Sequence, residues 1–257
     1  MYSHFSVNKQ EKMFILITTF VLVEESSYDN ISLFEFPSVD QADPDGLLAI
    51  GGDLHPHRLL SAYAQGIFPW FNPGEPILWW SPDPRFVLFP DQLHVSKSMR
   101  SLLKNDTFEV TVDTVFEQVI DACQQAKRPG QSGTWITSEM REAYCHLHKL
   151  GFAHSVETWR DGELVGGLYG VCTGSNFYGE SMYAKVSNAS KYAFIKLVQR
   201  LRQLNFEIVD CQIHTAHLES LGAQMVPRDH FIELITSGTN FDKWTGDWNK
   251  NESFNDL

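Results

Sequence analysis

The chain has 257 residues, enough for one large domain or two modest ones around a real hydrophobic core. Its formal charge of −12 argues against broad non-specific binding to nucleic acid, which depends on neutralising phosphate, but leaves room for a local basic patch. Cys123, Cys145, Cys172 and Cys211 form no CxxC pair and no framework spacing, so they read as reduced thiols of a cytosolic protein.

Residues 13–23 (MFILITTFVLV) are the one long apolar run near the start. The run is short of the ~20 residues a bilayer span needs. It also lacks a basic leader and a small-residue cleavage site, because Glu24 and Glu25 follow it directly. It fits a β-strand or a start codon set too far upstream, and residues 1–30 are an uncertain extension. No membrane association is expected.

From Phe36 to Arg85 the sequence is dense in Pro, Gly and Trp, with turn chemistry at 43–46 and 51–53. Residues 56–65 read as a helix with Leu59, Leu60 and Tyr63 on one face and Gly66 at its end. A small N-terminal domain, residues 1–83, is the natural parse, with residues 84–257 as a second domain. A strand follows at 86–89, then a segment at 94–104 whose Lys97, Arg100 and Lys104 share one helical face without an acid. That face is either an ordinary solvated surface or an anion-binding one.

Next come a strand at 108–112, a helix at 115–126, the loop 127–133 and a helix at 139–150 capped by Ser138. Three strands at 154–159, 164–171 and 176–180 form a meander, turned at Asp161-Gly162 and at Thr173-Gly174-Ser175. A long helix at 190–204 buries Phe194, Leu197 and Val198. The polar tail after Phe241 is expected to be loosely held. This order predicts an α+β fold on a mostly antiparallel mixed sheet. The long helix forces a crossover, so the strands carrying Glu180 and Asp210 can lie adjacent and parallel, with both acids facing one cleft.

The stretch 208–223 (IVDCQIHTAHLESLGA) begins as that last strand. Period two places Asp210, Gln212 and His214 on one face and Val209, Cys211 and Ile213 on the other. Such polar groups on an apolar strand need a task or a partner; an edge strand with one face in water is the plainer alternative. Thr215 is placed to cap a short helix ending at Gly222. Cys211, His214 and His217 have a C-x2-H-x2-H spacing, but alternation turns Cys211 away from His214, so no metal site is expected.

Several motifs coincide in this order. They are DPDGLLAIGGDL (43–54), RLLSAYAQGIFPWF (58–71), PILWWSPDPR (76–85), TWIT (134–137) and AHSVETW (153–159). GELVGGLYGV (162–171), GESM (179–182), NASK (188–191) and VDCQ…HLESLGA (209–223) complete the set. In these the chain resembles the bacterial leucyl/phenylalanyl-tRNA–protein transferases. The resemblance implies a C-terminal domain with a Gcn5-related N-acetyltransferase-like fold. It also implies transfer of Leu, Phe or Met from aminoacyl-tRNA to proteins with N-terminal Arg or Lys, which marks them for degradation. No cofactor is expected, and a cytoplasmic monomer is the expected form.

Aminolysis of an ester runs downhill, and an α-amine of pKa ~7.7–8.0 is already partly neutral in the cell. Positioning of two substrates and stabilisation of the developing oxyanion are then the main demands. Asp210 and Gln212 are the best catalytic candidates, and the resemblance points to the same pair: Gln212 to hydrogen-bond the incoming amine, Asp210 to orient it or take up a proton. Glu180 can bind an ammonium, either the donor's α-amine or the acceptor's basic end. Phe177, Met182, Leu168, Val209 and Phe194 are candidates for the donor side-chain pocket, although by pattern alone each reads more readily as plain core. The resemblance assigns stacking on the terminal adenosine to Trp70, with Tyr63 and Trp135 nearby.

Lys97, Arg100 and Lys104 are the candidate phosphate contacts. Arg is expected at 97 and 101 in relatives, whereas Lys and Ser stand here; Lys keeps the charge without the bidentate fork. Two other classes fit parts of the pattern. An acyl-CoA N-acetyltransferase needs a Gly-rich pyrophosphate turn at a helix start, where Asn188-Ala189-Ser190-Lys191 stands instead. A non-catalytic module binding basic N-termini would use the same acids without turnover.

Overall fold

The computed structural model describes residues 34–126 and 134–254. The apolar run at 13–23 and the loop 127–133 lie outside the described residues. The first strand is β1 (Leu47–Ile50), followed by helix α1 (Pro56–Ala64), then β2 (Phe68–Pro69) and β3 (Leu78–Trp80). These three strands form a small antiparallel sheet in the order β1-β3-β2. Gly66, just past α1, has φ +73°. A Cβ there would come within 2.4 Å of Ile232 and 2.9 Å of Phe231, so the close turn requires glycine.

The rest of the chain builds a seven-stranded sheet. Its elements are β4 (Arg85–Leu88), α2 (Lys97–Lys104), β5 (Glu109–Val112), α3 (Phe116–Gln125), α4 (Ser138–Lys149), β6 (Ala153–Arg160), β7 (Glu163–Thr173) and β8 (Asn176–Ala184). They continue as α5 (Ala189–Gln203), β9 (Ile208–Gln212), α6 (Ala216–Glu219), β10 (Gln224–Val226) and α7 (Arg228–Gly238). The strand order is β10-β4-β9-β8-β7-β6-β5. Every pairing is antiparallel except β8 with β9, which run parallel across the α5 crossover. The expected mixed sheet and the expected parallel neighbours are both present.

Alternation along these strands separates two cores. Val87, Tyr169, Val171, Tyr178 and Ile208 join the core shared with α1, α3, α4 and the small sheet. Phe86, Leu168, Phe177, Val209 and Cys211 join a second core under α5. The small sheet therefore packs on one face of the large one, and Tyr63 from α1 reaches the strands directly.

Three local expectations are corrected. Helix α4 is capped by Thr137, whose hydroxyl accepts from Met140 N at 3.2 Å, and Ser138 is already helical. The described part of the tail, residues 242–254, is held: Trp248 stacks on His154 at 3.7 Å and on Phe254 at 4.0 Å, and both Trp248 and Phe254 are buried. Its aromatic groups outweigh its polar composition. His214 leaves the face assigned to it and packs edge-on against Phe86 in the second core. The cause is Gln212, whose φ of +62° breaks the strand alternation.

Candidate active site

The site forms where β8 and β9 part. Their pairing runs from Asn176↔Ile208 to Tyr178↔Asp210, and β8 then continues to Ala184 beyond the last paired residue. On the other side of β8, Tyr169 pairs with Ser181 and Gly170 with Gly179, so Glu180 is an extra residue in a β-bulge. A bulge re-aims side chains along its strand. Glu180 keeps the face of Tyr178, toward Tyr63 and Tyr144 of the first core, and the side chains re-aimed are those beyond it, so that Met182 packs on the second core with Phe177.

Asp210 is fully buried and points to the same side. Its partner is Arg85, at the start of β4: Nε donates to Oδ1 at 2.9 Å and Nη2 to Oδ2 at 2.7 Å. Arg85 is itself buried, donates Nη1 to Gly66 O at 3.2 Å, and lies between the rings of Phe68 and Phe231 at 4.6 and 4.7 Å. A planar guanidinium suits this double role of bidentate donor and stacked plate. Asp210 Oδ1 also accepts from the backbone N–H of Gln212 at 2.9 Å. That bond spans the left-handed turn and fixes where the Gln212 side chain leaves the strand.

The Gln212 Nε2 donates to Glu180 Oε1 at 2.8 Å. Tyr63 Oη lies 2.8 Å from the same oxygen, and Tyr144 Oη lies 2.8 Å from Oε2. The two phenols are 2.5 Å apart. Burial is the main force on Glu180, and it overrides these hydrogen bonds to push the carboxyl pKa up to about 7; the nearby Asp210 charge acts in the same direction. Burial and the adjacent Glu180 hold both phenols well above their usual range.

Asp210, Gln212 and Glu180 are thus brought together, in one continuous chain of hydrogen bonds. They open onto a cavity of about 590 Å³. Leu168, Phe177, Met182, Phe194 and Val209, the five apolar residues expected around a donor side chain, all line it, as do Trp70 and Trp135. Tyr63 stands elsewhere: it is fully buried behind Glu180, with its ring 4.9 Å from Tyr178, and offers no free face for stacking. Lys97, Arg100 and Lys104 are exposed on α2 and do not line the cavity. Arg100 Nε is tied to Val95 O at 2.9 Å. Cys211 and His217 line the cavity wall, whereas His214 does not, and its Nε2 lies 3.2 Å from a Glu219 oxygen.

Two residues of this network escaped the sequence reading. Arg85 opens the apolar strand RFVL, where a charge facing a core must find a partner. Tyr144 sits inward on α4 and reads as ordinary core, so no sequence signal separates it from its neighbours.

The chain matches a family model described as leucyl/phenylalanyl-tRNA protein transferase over residues 87–236. It matches the model of that family's N-terminal domain over residues 52–83. A leucyl/phenylalanyl-tRNA–protein transferase of Syntrophus aciditrophicus is 57% identical over 213 residues, covering 83% of this chain and 89% of that one. One from Flavobacterium johnsoniae is 58% identical over 202 residues, covering 79% and 95%. With the family model matching more than half of the chain and these relatives 57 and 58% identical over about four fifths of it, the chain belongs to the leucyl/phenylalanyl-tRNA–protein transferase family.

Proposed function

We infer that the protein is an aminoacyltransferase that moves Leu, Phe or Met from aminoacyl-tRNA to the N-terminal Arg or Lys of acceptor proteins, marking them for degradation. The observation that carries this reading is the Gln212 amide, hung between Asp210 and Glu180 at an aromatic and aliphatic cavity. Because its Nε2 is committed to Glu180, its carbonyl oxygen is the end left to accept a proton from an attacking amine.

In the reaction the acceptor's α-nitrogen bonds to the ester carbonyl carbon and the bond to the tRNA ribose oxygen breaks. The ammonium proton passes to that leaving oxygen. Gln212 positions the amine for this attack. Asp210 is a positioning residue, since its carboxylate is committed to Arg85 and to the Gln212 backbone. Glu180 takes the acceptor's basic end.

The donor side chain enters among Leu168, Phe177, Met182, Phe194 and Val209, where a pocket without polar groups selects by size. Trp70 and Trp135 provide the flat surfaces for the terminal adenosine. Lys97, Arg100 and Lys104 meet tRNA phosphate. The parallel pair β8–β9 joined by α5 supports a Gcn5-related N-acetyltransferase-like fold for the larger part, divided from the smaller near residue 83. No helix among the described residues is long and apolar enough to cross a membrane, and we take the working form to be a cytoplasmic monomer.

The test is transfer of labelled Phe from Phe-tRNA to an Arg-start peptide, read as labelled peptide. Label on the peptide is the expected result. No transfer with a charged control tRNA, or activity that requires acyl-CoA, contradicts it.

A further inference from the structure

Three oxygen–oxygen contacts close a ring at the back of the site. They are Tyr63 Oη to Tyr144 Oη at 2.5 Å, Tyr63 Oη to Glu180 Oε1 at 2.8 Å, and Tyr144 Oη to Glu180 Oε2 at 2.8 Å. Each contact needs one proton between its oxygens; otherwise two lone pairs face each other at hydrogen-bonding distance. The phenols bring one proton apiece, which leaves one contact short. An ionised Glu180 can engage both phenols as donors, but then nothing fills the shortest contact, between the phenols themselves.

A protonated Glu180 fills it. Its Oε1–H donates to Tyr63, Tyr63 to Tyr144, and Tyr144 back to Oε2, while Oε1 still accepts from Gln212 Nε2. The surroundings agree. The groups facing Glu180 are Tyr63 from α1, Tyr144 from α4, Gln212 from β9 and the Asp210 carboxylate; Tyr169 from β7 lies against the phenols. Arg85, the nearest cation in this network, is bound to Asp210 through two bonds.

We propose that Glu180 is a neutral carboxylic acid in the resting site, closing a three-proton ring with Tyr63 and Tyr144, and that a cationic acceptor N-terminus expels the third proton to solvent and binds the resulting carboxylate. The second clause rests on the assignment of Glu180 to the acceptor's basic end. The Glu180 O–H bond is the one that breaks: its proton leaves to buffer and its electron pair stays on the carboxylate. Tyr63 and Tyr144 act as positioning residues: in the resting site they store the ring, and in the occupied site both donate to the carboxylate and move apart. The acceptor's charge is then felt only where a proton can leave, which favours a strong cation over a neutral N-terminus.

Difference infrared spectroscopy of wild type against Glu180→Gln reads this directly. At pH 6 the wild type alone is expected to show the carbonyl band of a protonated carboxylic acid, shifted by 13C-glutamate labelling. The band fades with a midpoint near the carboxyl pKa of about 7. It also disappears at pH 6 when an Arg-Ala-Ala amide peptide saturates the site, with occupancy followed separately by tryptophan fluorescence. Should Glu180→Gln fail to fold, the isotope shift identifies the band in wild type alone. Absence of the band at pH 6 without peptide overturns the proposal, and its persistence under saturating peptide overturns the release of the proton. If the peptide binds but accepts no Phe in the transfer assay, the transferase reading fails while the infrared result stands.

Discussion

The guanidinium of Arg85 on β4 grips the carboxylate of Asp210 on β9 through bonds of 2.9 and 2.7 Å, with neither side chain open to solvent. The same carboxylate accepts from the Gln212 backbone. A buried ion pair therefore sets the position of Gln212.

Truncating one partner leaves the other charged and unpaired, which costs about 3–5 kcal/mol. Asp210→Ala is expected to lose stability on that scale together with most of its turnover. The double change Arg85→Met/Asp210→Leu removes both charges and should regain much of the Tm, because apolar replacements of such pairs are close to neutral. It should not regain turnover, since Gln212 N has lost its acceptor. Thermal denaturation beside transfer rates checks this; an Asp210→Ala protein with wild-type Tm contradicts it.

Glu180 gives a pH signature with a defined sign. Its folded pKa of about 7 lies above the ordinary carboxyl value of 4.5. Below 4.5 both folded and unfolded chains hold the proton, and the burial costs nothing. Between 4.5 and 7 only the unfolded chain releases it, so folding becomes less favourable, and above about 7 the penalty is complete. A rise from 4.5 to about 7 corresponds to about 3 kcal/mol. Glu180→Gln escapes this penalty, so its Tm relative to wild type should rise from pH 5 to pH 8. A gap that stays constant across that range contradicts the shift.

Trp70 is half-buried on the cavity wall, 6.0 Å from Trp80. Trp70→Ala should raise the KM for aminoacyl-tRNA by a factor matching the ~1–3 kcal/mol of a base stack, with a small change in Tm. Loss of the fold instead would make Trp70 a core residue.

The face of α2 offers a test of tRNA contact away from the cavity. Lys97→Glu/Lys104→Glu should weaken donor binding and flatten its dependence on salt, because each lost phosphate contact removes counterion release. Binding of an Arg-start peptide should be unaffected. Lys97→Arg restores a bidentate fork and should tighten donor binding modestly. Equal salt slopes for wild type and the double variant would separate α2 from the tRNA.

Much of this arrangement was legible in the sequence. The crossover helix placed the strands of Glu180 and Asp210 side by side, whereas Phe177 and Met182 share the cavity only because the bulge at Glu180 shifts the alternation between them. The failures have local causes. A left-handed backbone at Gln212 and a bulge at Glu180 break period two, and no propensity scale signals either. Tyr144 looks like any inward helix residue. Arg85 carried a readable signal, a charge beginning a buried strand, but naming its partner required the β4–β9 register.

The most direct test of the account is single-turnover transfer of Phe from Phe-tRNA to an Arg-start peptide by wild type and by Gln212→Ala. Gln212 is half-buried at the end of β9, so its side chain can be removed with little loss of fold. The rate with Gln212→Ala should fall roughly a hundredfold, as for loss of one preorganised hydrogen-bonding group at a reacting centre, while Tm stays close to wild type. A folded Gln212→Ala protein that transfers Phe at the wild-type rate would contradict the account.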